Sequence, residues 1–158
     1  MKVKDLMTGN VRTCRLSSDL AAVAIMMWED DIGALPIVDD SGKVVGMITD
    51  RDIAIAVATK GRSASEIPVR ELLSGNVRSC HPMDDVHTAL KTMRHEKVHR
   101  LPVVNDSGKL QGILCMNDVV LRAEEARGKR EPELSYEDAM STLKAICAHR
   151  MPQAAARA

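Results

Sequence analysis

The stretch "GMITDRD" at residues 46–52 returns as "GILCMND" at residues 112–118. Each copy writes a glycine, then apolar residues, then an aspartate six positions after the glycine. Only the first keeps a hydroxyl, Thr49, where the second has Cys115. The displacement, from 46 to 112, is 66 residues, and it aligns far more of the chain. "VKDLMTGNVRTC" (3–14) falls on "VRELLSGNVRSC" (69–80), and "GALPIVDDSGKVVGMITDRDI" (33–53) falls on "HRLPVVNDSGKLQGILCMNDV" (99–119). A long period present only twice argues against a solenoid, which needs three or more units, and for two halves packed about a pseudo-twofold axis.

Within a copy, "NVRTC" or "NVRSC" is a short β-prone run. A helical face follows, at Leu20, Val23, Ala24 and Met27, or at Val86, Ala89, Leu90 and Met93. Next come "LPIV" or "LPVV", a turn "DDSGK" or "NDSGK" suited to tight reversal, and "VVGMIT" or "LQGILC", which together read as a hairpin. A second helix is expected from near Asp50 or Asn117 to Gly61 or Gly128, each glycine placed to end it. The order predicted per unit is strand, helix, strand, strand, helix. The fold class expected is therefore α/β (α+β), with a first repeat over 1–62 and a second over 63–128. Residues 129–158 form a linker and a C-terminal helix and tail. "GRSASEIP" reads as the connection between copies, with Pro68 discouraging helix before the second. "KREPE" (129–133) reads as a second polar break. In "LSYEDAMSTLKAICAHR", Ser135 and Asp138 form a capping pair, with Met140, Leu143, Ile146 and Cys147 on one side.

Composition narrows the function. The chain has 158 residues, 45% of them apolar, with 22 Lys plus Arg against 22 Asp plus Glu, so a global field that would draw in nucleic acid is missing. With no Phe, one Trp and one Tyr against ten Met, stacking platforms for single strands are scarce and methionine is expected to fill the core. No apolar run approaches the roughly 20 residues that span a bilayer, and the start lacks a secretory apolar region, so a cytoplasmic, membrane-free protein is expected. Cys14, Cys80, Cys115 and Cys147 show neither CxxC spacing nor a disulfide framework. His81 and His87 lack a recognisable ligand spacing, so no metal site is expected. Cys14 and Cys80, at equivalent positions, read as small buried hydrophobes rather than a redox switch.

Thr49 followed by Asp52 has two readings. As a capping box it does no more than start a helix. As a nucleotide site it combines the free N–H groups of a helix start with a carboxylate able to accept two ribose hydroxyls. With its duplicated β-α-β-β-α order and the two long aligned segments, the chain resembles a pair of CBS domains (a Bateman module) over about residues 3 to 126. "DDIGALPIV", "GMITDRD" and the late "KAIC" are similar to small stand-alone bacterial members of the hypoxic response protein group. The resemblance implies a regulatory sensor of an adenosine-containing ligand such as AMP, ATP, NAD or S-adenosylmethionine, with no required cofactor. It implies one cleft holding Thr49 and Asp52, with Ser79 and Cys80 across from them. The other would hold Cys115 and Asp118, with Thr13 and Cys14 across. A thiol is a weak donor in place of a hydroxyl, which puts the second cleft in question. His99 and Arg100 stand where the first copy has Gly33 and Ala34. In nucleotide-sensing members of the family similar residues contact phosphate, and the alternative is a solvated surface pair.

One asymmetry points to a partner. Ile25, Met26 and Trp28 in the first copy become Lys91, Thr92 and Arg94 in the second, and Ala56 becomes Arg122. Helices apolar on more than one face need more than one cover. The cover is either the C-terminal helix or a homodimer in which first repeat meets first repeat through Ile25, Met26, Trp28 and Ala56. A scaffold that binds nothing small and docks an unknown effector protein is the alternative to the sensor. No Gly-x-Ser-x-Gly, P-loop or HExxH pattern appears, so no catalytic residues are assigned and the chain is not read as an enzyme.

Overall fold

The computed structural model describes residues 1–73, 75, 77–126 and 132–148. The first repeat runs β1 (Cys14–Arg15), α1 (Leu20–Glu29), β2 (Ala34–Val38), β3 (Val44–Thr49) and α2 (Asp50–Lys60). The second runs α3 (Val86–Glu96), β4 (Arg100–Val104), β5 (Leu110–Cys115) and α4 (Met116–Arg122), and α5 (Tyr136–Cys147) follows. In the first sheet β1 lies parallel to β2, and β2 pairs antiparallel with β3, so that Ala34 faces Thr49. In the second, β4 and β5 pair in the same register, Arg100 facing Cys115, while the counterpart of β1 is cut down to a single parallel bridge from Cys80 to Val103. The α/β class and the repeated unit expected from the sequence are what the chain builds.

Local chemistry accounts for these elements. Asp39 and Asn105 each accept two backbone N–H bonds across their hairpin turns, from Ser41 and Lys43 and from Ser107 and Lys109 respectively. The turns close through Gly42 (φ 79°) and Gly108 (φ 78°), a conformation glycine adopts without a Cβ clash. Asp19 and Asp85 cap α1 and α3, Thr49 caps α2, and Ser135 caps α5. Leu20, Val23 and Met27 of α1 and Val86, Ala89, Leu90 and Met93 of α3 are buried, as their spacing predicts.

The packing interlocks the repeats. There are two cores, and the segment leading into each repeat is buried in the other. Val3 packs with Val86, Leu90 and Leu114 of the second repeat, whereas Val69 packs with Leu20, Val23 and Ile48 of the first. Backbone bonds fix the exchange. Thr8 and Ile113 bond each other reciprocally at 2.9 Å, and Val69 N–H donates to Ser18 at 2.8 Å. The glycine that opens the quoted stretch sits under this crossing. A Cβ on Gly112 would lie 2.5 Å from the Thr8 carbonyl oxygen, and one on Gly46 would lie 2.6 Å from the Leu73 side chain.

Two expectations need correction. The second helix of the second repeat ends at Arg122 rather than at Gly128, which lies outside the described residues, as does most of "KREPE". Glu124 is instead captured by the approach to α5, its N–H donating to Leu134 and its carbonyl accepting from Tyr136. The packed side of α5 is Ala139, Thr142, Leu143 and Ile146, while Met140 and Cys147 face outward. The helix is rotated so that Arg94 of α3 reaches the Thr142 hydroxyl at 3.3 Å.

Candidate functional site

Two clefts open where the repeats meet. The first has a cavity volume of about 390 Å³, and Thr49, Met47 and Leu73 meet Val77, Arg78, His99 and Arg100 around it. The second, of about 500 Å³, brings Thr8, Val11 and Cys115 together with Asp31, Asn117, His99 and Arg100. The two are related by the repeat. Val77 corresponds to Val11, and Thr49 to Cys115. Ala34 and Arg100, equivalent positions of the two copies, line both clefts and so lie at the pseudo-twofold junction.

In the first cleft Thr49 makes a full capping box. Its hydroxyl accepts from the Asp52 N–H at 3.2 Å and donates to Asp52 Oδ2 at 2.7 Å, and its N–H donates to the same oxygen at 2.9 Å. The capping reading is thus realised, and Asp52 remains exposed and joined to the cleft wall through Thr49. In the second cleft the Cys115 N–H donates to Asp118 Oδ2 at 2.7 Å, and the hydroxyl comes from elsewhere, Thr8 donating to Asp118 Oδ1 at 3.4 Å. Burial pushes the Cys115 thiol up, with Asp118 adding to the effect and Arg100 opposing it, so the side chain stays a neutral thiol. Thr8, which lines this cleft, is not among the residues the sequence places there. The signal was present, since the aligned copies carry a hydroxyl residue there in both, Thr8 and Ser74.

Two arginines, Arg78 and Arg100, line the first cleft. Arg78 is engaged by Glu96 at 3.2 Å, and its counterpart Arg12 by Glu29 and Asp30 at 3.2 and 3.1 Å. Among the described residues Arg100 forms no ion pair. His99 is exposed and borders both clefts, a position open both to a ligand contact and to the solvated surface pair.

The walls opposite the capping boxes differ from expectation. Cys14 and Cys80, 2% and 6% exposed, point into the two cores and do not line the clefts. Each pairs with the hairpin of its own repeat, which turns its side chain inward. Burial drives their thiols up, to about 11 for Cys14 and about 12 for Cys80. Thr13 and Ser79, one residue earlier, are also absent from the lining. The wall is built two to three residues upstream, by Val11 in one cleft and by Val77 and Arg78 in the other.

Of the residues assigned to a dimer face, Trp28 is 87% exposed and Ile25 is exposed, Met26 is half-buried, and Ala56 is buried in the first core. Residues three apart on α2, Ile53 and Ala56, point inward, so the outward apolar residues there are Ile55 and Val57. The tail helix does not cover this face, because α5 packs on α3 and α4 of the second repeat. Among the described residues no three His, Cys, Asp or Glu side chains come together as a metal site, and no helix is long and apolar enough to cross a membrane.

Two repeats built on one β-α-β-β-α plan, with twin clefts at their junction, define a paired-repeat module. The chain belongs to the CBS domain family, which it matches over residues 3–59 and 69–125. It is 32% identical over 138 residues to the CBS domain-containing protein YhcV of Bacillus subtilis, covering 86% of this chain and 96% of that one. It is also 32% identical over 117 residues to the uncharacterized protein MK0525 of Methanopyrus kandleri, covering 74% of this chain but only 57% of that longer protein. Among solved structures it is similar to Hypoxic Response Protein I with two coordinated zinc ions (TM-score 0.71, 30% identity, 78% of this chain and all of that one). It is similar to the CBS domain pair of protein MJ0100 in complex with 5′-methylthioadenosine and S-adenosyl-L-methionine (TM-score 0.69, 29% identity, 77% and 94% covered). It is similar as well to CBSX2 in complex with AMP (TM-score 0.65, 27% identity, 76% and 93% covered).

Proposed function

We propose that this protein is a non-catalytic regulatory module that binds an adenosine-containing ligand, AMP, ATP, NAD or S-adenosylmethionine, in the clefts between its repeats. Binding biases the angle between the repeats and is read by a partner protein in the cytoplasm. The observation that carries this reading is the placement of Thr49, bonded to Asp52, in the wall of one cleft, with Arg100 at the junction of both. Similarity to CBS pairs solved with AMP and with S-adenosylmethionine supports the ligand class. In the first cleft the Asp52 carboxylate would exchange its bond with the Thr49 hydroxyl for two ribose hydroxyls, and Arg100 would take phosphate.

The module is proposed to act as a homodimer through the outer face of the first repeat. There Trp28, Ile25 and Ile55 stand exposed beside a groove of about 450 Å³ between α1 and α2. The same face of the second repeat is occupied by α5, which restricts pairing to first repeat on first repeat.

A thermal-shift panel of adenine and guanine compounds tests the sensing reading. Adenine compounds are expected to raise the melting temperature of the native chain, to raise that of the Asp52→Ala variant less, and to leave that of the Asp52→Ala/Asp118→Ala double variant unmoved. The absence of any shift at about 100-fold excess over a micromolar dissociation constant, where about 2.7 kcal/mol is expected, would refute it. The second reading, a scaffold that binds nothing small, draws on Cys115 in place of a hydroxyl and on the exposed Trp28 face. It predicts a ligand-silent protein that copurifies with a partner.

A further inference from the structure

We infer that the two clefts draw on one phosphate-binding cation, Arg100, so that a phosphate-bearing nucleotide captured in one weakens capture of a second in the other. The inference rests on the sensing reading above and names how that site is regulated. Four observations carry it. Arg100 lines both clefts, and so does Ala34, its counterpart under the repeat. A fully symmetric module would therefore bring two cations to the junction, and this one brings a single cation beside a methyl group. Of the other arginines near the clefts, Arg78 is held by Glu96 at 3.2 Å and Arg12 by Glu29 and Asp30. Among the residues lining the second cleft, Arg100 is the sole Lys or Arg, and Asp31 contributes an opposing carboxylate.

The chemistry follows from the guanidinium. Its planar fork satisfies one phosphate through paired N–H bonds, and turning it toward one cleft withdraws it from the other. A phosphate monoester carries close to two negative charges near neutrality. A second one at the same junction then meets uncompensated repulsion instead of a partner, in a crevice that screens poorly. By linkage the penalty is the same whichever cleft fills first. A nucleoside without phosphate makes no demand on Arg100 and escapes the coupling.

The test is titration calorimetry on the full chain with two probes, adenosine and AMP, at about pH 8, above the ordinary range of histidine protonation. Adenosine is expected to fill two sites per chain. AMP is expected to fill one site tightly and a second at least about tenfold more weakly than the ratio of the two adenosine sites predicts, one factor of ten being about 1.4 kcal/mol. Arg100→Gln is expected to weaken the tight AMP step by about tenfold or more while leaving the weak step and both adenosine steps in place. Arg100→Lys, which keeps the charge, should retain the inequality, and unchanged far-UV circular dichroism in both variants excludes misfolding as the cause. Two AMP steps with the adenosine ratio would overturn the inference and leave the sensing reading standing. So would Arg100→Gln weakening both AMP steps alike, or adenosine binding at one site only. Binding of neither probe overturns both.

Discussion

Adding one methyl group to each of the two repeated glycines should have unequal consequences. At Gly112 the new Cβ would meet the Thr8 carbonyl oxygen at 2.5 Å, the Met7 sulfur at 3.1 Å and the Thr8 carbonyl carbon at 3.3 Å. Two of these atoms are backbone, and that backbone is tied to Ile113 by two bonds of 2.9 Å. Relief therefore requires the crossing segment to lift. Losing the two bonds costs about 2 kcal/mol, and drawing Val3, fully buried at 0% exposure, partly out of the second core adds about 1 to 2 kcal/mol. At Gly46 the contacts are the Leu73 Cδ2 at 2.6 Å and the Ile37 Cδ1 at 3.1 Å, both ends of side chains that can rotate. Overpacking there costs about 1 kcal/mol, partly offset by the lower chain entropy of alanine in the unfolded state. Urea unfolding followed by far-UV circular dichroism is the assay, since Trp28 is too exposed to report on the core. Gly112→Ala should lower stability by about 3 kcal/mol and Gly46→Ala by about 1 kcal/mol or less. Equal midpoints for the two variants would refute the claim that a crossing backbone holds the second repeat together.

The thiols should react in order of exposure: iodoacetamide at mild alkaline pH labels Cys147 quickly, while Cys14 and Cys80, with thiols raised to about 11 and about 12, resist until urea unfolds the chain. Peptide mass mapping reads the order. The docking of α5 should weaken in acid. Burial raises the Asp138 carboxyl, but the bonds from Ser135 and the approach of His87 outweigh it, and the net shift is downward. A carboxyl depressed in the folded state contributes stability above its unfolded value, near 3.9, and loses it as pH falls through the lower folded value. The stability difference between the native chain and Asp138→Asn should therefore be fully present at about pH 5 and shrink below about pH 4, as read from urea midpoints. Trp28→Lys changes a side chain that touches little of its own core, so light scattering should find the mass halved with the melting profile of the repeat preserved. An unchanged dimer would remove this face from the proposed interface.

Much of this architecture is legible in the sequence because duplication writes each structural constraint twice. The apolar spacing of α1 and α3, the Asx-Asp-Ser-Gly turns and the Thr49–Asp52 box are local signals, and each folds as its own chemistry dictates. What escaped was set by distant contacts. Nothing near Val3 announces that it belongs to the second core, and nothing near Thr8 announces that it reaches Asp118, because the crossing of the leading segments is a tertiary event. The same holds for the cleft walls. Strand pairing turned Cys14 and Cys80 inward and left Val11, Val77 and Arg78 to face the cavities, a register that only the neighbouring hairpin fixes. Helix α4 stopped short because Glu124 found a partner in the approach to α5, ten residues further along, which local propensity does not register.

The central claim, that an adenosine-containing ligand sits between the repeats, is tested most directly by amide chemical shifts of the isotope-labelled protein titrated with AMP. The largest changes are expected at Thr49, Leu73, Val77, Arg78 and Arg100, around the first cleft. Changes confined to the outer faces of α1, α2 and α5, or none at saturating ligand, would contradict it.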